Sequence, residues 1–165
     1  MVQKNLIVGI ADIKIAKKPD KLITYALGSC VGIAIYDIKN NIGGLAHILL
    51  PSSSLFQDND NQMKFADTAI PLLIRKLREA GAEKHYLNAK IAGGANMFYK
   101  TSHISFYDIG NSNVTIVQKK LNELKIPIIS QDMGGVISRT MTLDLTRMEV
   151  DIKYYEGNLS KIDTI

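Results

Sequence analysis

Polar and apolar residues alternate along the start of the chain with the period of a β-strand. In Asn5–Ile15, Leu6, Val8 and Ile10 lie on one face and Ile7, Ile13 and Ile15 on the other, which predicts one strand buried on both sides in places. Leu22–Leu27 predicts a second strand, ended by Gly28-Ser29, and the β-branched run Val31–Tyr36 a third. Turn residues fill Asp37–Asn41. Gly44–Leu50 returns as a fourth strand, stopped by Pro51 and the three serines behind it.

The period then lengthens. Ala66, Ala69, Ile70, Leu73, Leu77 and Ala80 recur at spacings of three and four, the apolar stripe of a helix. Asp60 or Asn61 is placed to cap its start and Gly81 to close its end, while Pro71 inside the stripe predicts a kink or a late start. A second helix is predicted near Ser112–Leu124, with Val114, Val117, Leu121 and Leu124 facing inward. Between the helices lies a strand, Tyr86–Ala92, ending in Gly93-Gly94; Ile128–Gln131 follows Pro127 and precedes Gly134-Gly135. Ile137–Leu143 and Met148–Tyr155 are two last strands joined by a turn near Thr146. About eight strands and two helices, strand-rich at both ends, predict an α/β fold built as a layered sandwich rather than a doubly wound sheet.

Composition adds limits. The 165 residues fit one domain, and 46% hydrophobic against 22% charged residues is a globular balance, not a disordered one. The single cysteine, Cys30, leaves no partner for an intrachain disulfide and suits a reducing cytoplasm. The apolar run Leu6–Ala11 is broken by Asp12 and Lys14, too soon for a signal peptide, and no stretch reaches the roughly 18 apolar residues of a membrane span. The expectation is a soluble cytoplasmic protein. The net charge of +4 comes from scattered lysines such as Lys14, Lys17, Lys119 and Lys125. They give a mild positive field but no basic stripe with interleaved aromatics, so nucleic acid is not the expected partner.

The chemistry concentrates at Thr24–Val31. A strand ends there on Gly28, whose conformational freedom can present the following side chains at a strand mouth. A nucleophilic Cys30 needs that position: reachable by substrate, with its thiolate favoured by a base. His47 is the candidate base. If residues 38–41 form the loop of an antiparallel hairpin, Asp37 pairs with Ile42 and Cys30 with Leu49. His47 is then a diagonal neighbour on the same face, about 7–8 Å away at Cα. A loop of odd length would put the two on opposite faces. Each residue also has a plainer reading: Cys30 as a small buried hydrophobe, His47 as a satisfied core histidine, Thr24 as an ordinary strand residue. His85 reads as solvent-facing and His103 as part of the polar loop Lys100–Ser105; neither has partners spaced for zinc.

The segments Leu27-Gly28-Ser29-Cys30, Gly43-Gly44-Leu45-Ala46-His47 and Leu50-Pro51 resemble the bacterial CheD family of chemoreceptor glutamine deamidases. Further matches follow in the family's order at Gly93-Gly94-Ala95-Asn96-Met97-Phe98, at Ile109-Gly110 and at Asp132-Met133-Gly134-Gly135 with Arg139. Ser112 and Ser138 depart from the family's pattern, which often has arginine at the first position and glycine at the second. The resemblance implies a fold similar to the catalytic domain of cytotoxic necrotizing factor toxins. It implies a triad on Cys30, His47 and Thr24, with Thr24 orienting the imidazole; for such a reaction backbone N–H groups near Gly28–Cys30 are candidates to hold the oxyanion, without assignment to individual donors. It implies no cofactor or metal. The implied partners are methyl-accepting chemotaxis receptors as protein substrate and the phosphatase CheC. A regulatory module that binds and stimulates CheC, and a toxin-like deamidase or transglutaminase, are the alternative functions.

Overall fold

In a computed structural model, which describes residues 2–97, 108–156 and 159–165 (Glu156 and Leu159 by backbone only), the chain forms two five-stranded sheets and two helices. The strands are β1 Asn5–Ile7, β2 Asp12–Lys17, β3 Lys21–Leu27, β4 Val31–Asp37, β5 Ile42–Ile48, β6 Leu87–Gly93, β7 Ile128–Met133, β8 Arg139–Asp144, β9 Glu149–Glu156 and β10 Leu159–Thr164. The helices are α1 Ala66–Glu79 and α2 Ile109–Glu123.

Sheet I runs β1-β3-β8-β9-β10 and sheet II runs β2-β5-β4-β6-β7. Both are mixed: β1–β3 and β6–β7 are parallel, the other neighbours antiparallel. Three layers result. Leu22, Leu27, Met141, Leu143 and Ile152 of sheet I pack on Ala34, Leu45 and Ala92 of sheet II. On the other face of sheet II, Ile33, Ile35, Ala46 and Ile91 meet Ile70, Leu73 and Leu77 of α1 and Val117 and Leu121 of α2. The central strands β4 and β5 are therefore covered on both sides, and every residue in them is buried.

Asn5–Ile15 is not one strand. The chain leaves sheet I after Ile7, crosses at Val8–Ala11 and enters sheet II at Asp12. Ala11 turns the corner with a left-handed φ of 53°, the Asp12 carboxylate accepts from Gly9 N–H at 3.3 Å, and Ile10 points to solvent. Helix α1 is not capped by Asp60 or Asn61. It starts at Ala66, and the carbonyls of Leu50 and Pro51 accept its first N–H groups at 3.0 and 3.3 Å. Pro71 stands inside that helix, so no late start is needed. Helix α2 begins at Ile109, three residues before the predicted start at Ser112, because the Asp108 carboxylate caps Asn111 N–H at 3.0 Å. The turn near Thr146 is held by Asp144, which accepts from the N–H groups of Thr146 and Arg147. Strand β10, beyond the last predicted strand, pairs with β9.

The two glycines of β5 set the layer spacing. A Cβ at Gly43 would lie 2.5 Å from Leu145 Cδ2 on the sheet I side, and one at Gly44 would lie 2.5 Å from Leu73 Cδ1 on the helix side. Gly44→Ala is expected to destabilise the fold by about 1–3 kcal/mol through overpacking of α1. A urea midpoint equal to that of the wild type would contradict this account of the layer spacing.

Candidate active site

The site lies between the two sheets, at the open end of the β4–β5 hairpin. The hairpin pairs Asp37 with Ile42 and holds that register to Val31 opposite Ile48. Continued by one residue it sets Cys30 opposite Leu49, with His47 diagonal to it on the same face, as the even loop length predicts. His47 lies opposite Gly32 on one side and Asp12 on the other. A Cβ at Gly32 would come within 2.7 Å of Met141 Sδ and 2.9 Å of Leu27 Cδ1. The missing side chain lets sheet I settle onto the hairpin beside the imidazole.

Thr24 reaches the imidazole from sheet I. After Thr24, strand β3 carries a bulge against β8, so Thr24 pairs with Met141 and Leu27 with Arg139. Tyr25 and Ala26 both turn outward, and Thr24 and Leu27 both turn inward. Ala26 holds the left-handed φ of 57° at this corner. Gly28, expected to supply that freedom, has no left-handed φ; a Cβ there would meet the Met97 side chain at 3.0 Å.

The hydrogen bonds fix the tautomer of His47. Thr24 Oγ1 donates to the carbonyl of Val8 at 2.8 Å and stands 2.7 Å from His47 Nδ1. A hydroxyl has one proton. With that proton on Val8, the oxygen accepts from Nδ1–H. Nε2 is then the unprotonated nitrogen, and it has no hydrogen-bond partner among the described residues. The same crossing segment holds the backbone of His47, whose carbonyl accepts from Ala11 N–H at 2.9 Å. Thr24 and His47 are buried.

Cys30 sits in the apolar cluster between the sheets, 8% exposed, not open at a strand mouth. Burial pushes its thiol above the usual cysteine value, against a smaller opposing pull from its own backbone N–H. Burial likewise holds the imidazole of His47 down, to about 4. Both shifts favour the neutral thiol and the neutral imidazole over the ionised pair. No hydrogen bond joins Cys30 and His47 among the described residues.

Two glycine loops and one helix hold the Cys30 turn. A Cβ at Gly93, with its φ of 121°, would lie 2.2 Å from the Cys30 carbonyl oxygen, so only glycine fits. The carbonyls of Cys30 and Gly28 accept from Gly94 and Ala95 N–H, each at 2.8 Å. Gly134 N–H in turn donates to the Gly93 carbonyl at 2.8 Å. Arg139, buried, secures that second loop by donating to the Asp132 carboxylate at 2.7 Å and to the Gly134 carbonyl. Asn113 of α2 is fully buried and donates to the carbonyls of Ser29 and Leu49. It escapes a reading of apolar periodicity, although it lies four residues before Val117 on the inward stripe, where a lone amide is itself a signal. His85 is exposed, 3.6 Å from Glu83, and takes no part. Ser112 and Ser138 are half-buried, and Phe98 and His103 lie outside the described residues.

The family model for CheD, "CheD chemotactic sensory transduction", matches residues 49–154, more than half of the chain and a stretch that begins just after His47. The chain belongs to the CheD family. Relatives cover the N-terminal part as well. A "Probable chemoreceptor glutamine deamidase CheD" of Clostridium botulinum (strain Hall) is 51% identical over 150 residues, which is 91% of this chain and 93% of that protein. A CheD protein with the same description from Clostridium tetani is 48% identical over 153 residues, 93% of each chain. No helix among the described residues of this CheD-family chain is long and apolar enough to cross a membrane.

The depressed imidazole links stability to pH. The folded state keeps His47 neutral down to about 4, whereas in the unfolded chain the imidazole protonates near its ordinary 6.5. Between those values the unfolded state binds more protons, so stability is fully present above 6.5 and falls as the pH drops towards 4. The loss attributable to His47 should reach about 3 kcal/mol. Urea unfolding of wild type and His47→Gln across this window tests it: the wild-type slope should be steeper, and parallel curves would contradict the shift.

Proposed function

We propose that this chain hydrolyses glutamine side chains of methyl-accepting chemotaxis receptors to glutamate, with Cys30 as nucleophile, His47 as base and Thr24 as the residue that orients the base. The observation that carries this reading is the Thr24 hydroxyl, which spends its proton on Val8 and so leaves His47 Nε2 free to accept one. The deamidase names of the relatives point to the substrate class.

The reaction starts from the neutral pair. As the sulfur attacks the carboxamide carbon, the thiol proton passes to Nε2, so no ionised sulfur has to persist in the apolar cluster. Catalytic hydrogen bonds that are loose in a free enzyme tighten in the substrate complex. The C–S bond forms and the carbonyl π pair moves to oxygen. Of the backbone N–H groups near Gly28–Cys30, that of Gly28 is not free for the oxyanion, because it donates to the Ala26 carbonyl at 3.0 Å. The imidazolium gives its proton to the departing nitrogen, the C–N bond breaks and ammonia leaves. Water then loses a proton to Nε2, adds to the thioester and releases glutamate and the thiol. Threonine holds the tautomer but, being neutral, stabilises the imidazolium less than a carboxylate would.

Cys30→Ala is expected to abolish deamidation of a receptor substrate, and Thr24→Ala to lower kcat by about tenfold to a hundredfold with KM little changed. Mass spectrometry of receptor peptides reads the conversion directly; full activity in Cys30→Ala would remove the mechanism. The acid limb of kcat/KM should fall near 4, the value to which burial holds His47, rather than near 6.5. Added free amines should leave glutamate as the product; amine incorporation would favour a transglutaminase. Binding of CheC, the partner implied by the family resemblance, is expected to survive Cys30→Ala in a pull-down.

A further inference from the structure

We propose that Asn113 is a positioning residue that sets the gap between the Cys30 turn and the His47 strand. This rests on the Cys30–His47 reading above. The β4–β5 ladder stops at Val31 opposite Ile48, one pair short of Cys30. Beyond it the two backbones present carbonyl to carbonyl: Ser29 O, just before the nucleophile, and Leu49 O, two residues after the base. Two acceptors cannot bond each other, and left alone the ends would part.

Asn113 Nδ2 fills this place. It donates one hydrogen to Ser29 O at 2.9 Å and the other to Leu49 O at 3.0 Å. A planar amide nitrogen with both hydrogens in use holds the two oxygens about 5 Å apart. It acts as one further rung of the hairpin, at the level where sulfur and imidazole must meet. Both donors are spent, while Oδ1 has no partner among the described residues, so the side chain serves here through its hydrogens. The amide is supplied by α2, whose start is pinned at Gly110: a Cβ there would lie 2.7 Å from both the Gly94 and the Ala95 carbonyl oxygens. Gly94 N–H in turn donates to the Cys30 carbonyl. The helix is thus referenced to the Cys30 turn by backbone contacts as well as by Asn113.

The test uses the full chain. Asn113→Asp keeps the size of the side chain but puts an acceptor oxygen against the two carbonyls; should that variant not fold, Asn113→Ser carries the same comparison. Val117→Ala loosens the same helix four residues further on, away from both carbonyls. The first readout is the rate of Cys30 alkylation by iodoacetamide across pH, which requires no receptor; the second is kcat and KM on a receptor substrate. We expect the Asn113 variant to move the alkylation profile towards that of His47→Gln. We also expect it to lower kcat by about tenfold or more with KM within about threefold, while Val117→Ala keeps both within about twofold. An Asn113 profile superimposed on wild type, with His47→Gln displaced, overturns the positioning role and leaves the base in place. A His47→Gln variant that keeps wild-type kcat on the receptor substrate overturns the base itself, and the proposal with it; an Asn113 variant with wild-type kcat and KM overturns the positioning role.

Discussion

Two sheets that share no strand edge meet at the hydroxyl of Thr24. It donates to the backbone of the segment that crosses between them and accepts from the imidazole of the facing sheet. The direction of the first bond fixes that of the second, and the second decides which nitrogen of His47 carries a proton. The crossing segment Val8–Ala11 touches both partners, through the Val8 carbonyl and the Ala11 N–H, so the change of sheet and the orientation of the base are one structural feature. The bulge after Thr24 and the bare Cα of Gly32 are what allow the hydroxyl and the ring to come this close.

Burial gives the site its electrical character. Among the described residues no positive group stands beside Cys30 to hold a thiolate, and the apolar layer raises the thiol and lowers the imidazole together. Such surroundings favour proton transfer in step with bond formation over a standing thiolate. In the proposed reaction, specificity follows from access: a carboxamide that reaches the inter-sheet space brings with it the geometry that activates the sulfur.

Much of this was legible in the residues. The turn composition of 38–41 fixed the parity of the hairpin, and parity put Cys30 and His47 on one face; the structure keeps that register. Two helices and the layering followed from a change of apolar period. The crossing at Val8–Ala11 was not legible, because both halves of Asn5–Ile15 are strands and only Gly9 hints at a break. The helix starts were missed where backbone carbonyls or a distant aspartate, rather than local polar residues, satisfy the first N–H groups. β10 is an edge strand with few apolar positions, one of them the exposed Ile162, so alternation barely marks it. Thr24 is silent in periodicity and emerged from the family pattern; its importance lies in a contact between sheets, which no local pattern encodes.

The nitrogen-15 shifts of the His47 ring at neutral pH test the orientation of the base most directly. Hydrogen bonding to Thr24 predicts a protonated Nδ1 and a bare Nε2, and in Thr24→Ala this preference should weaken. A ring carrying its proton on Nε2 in the wild-type protein would contradict the account.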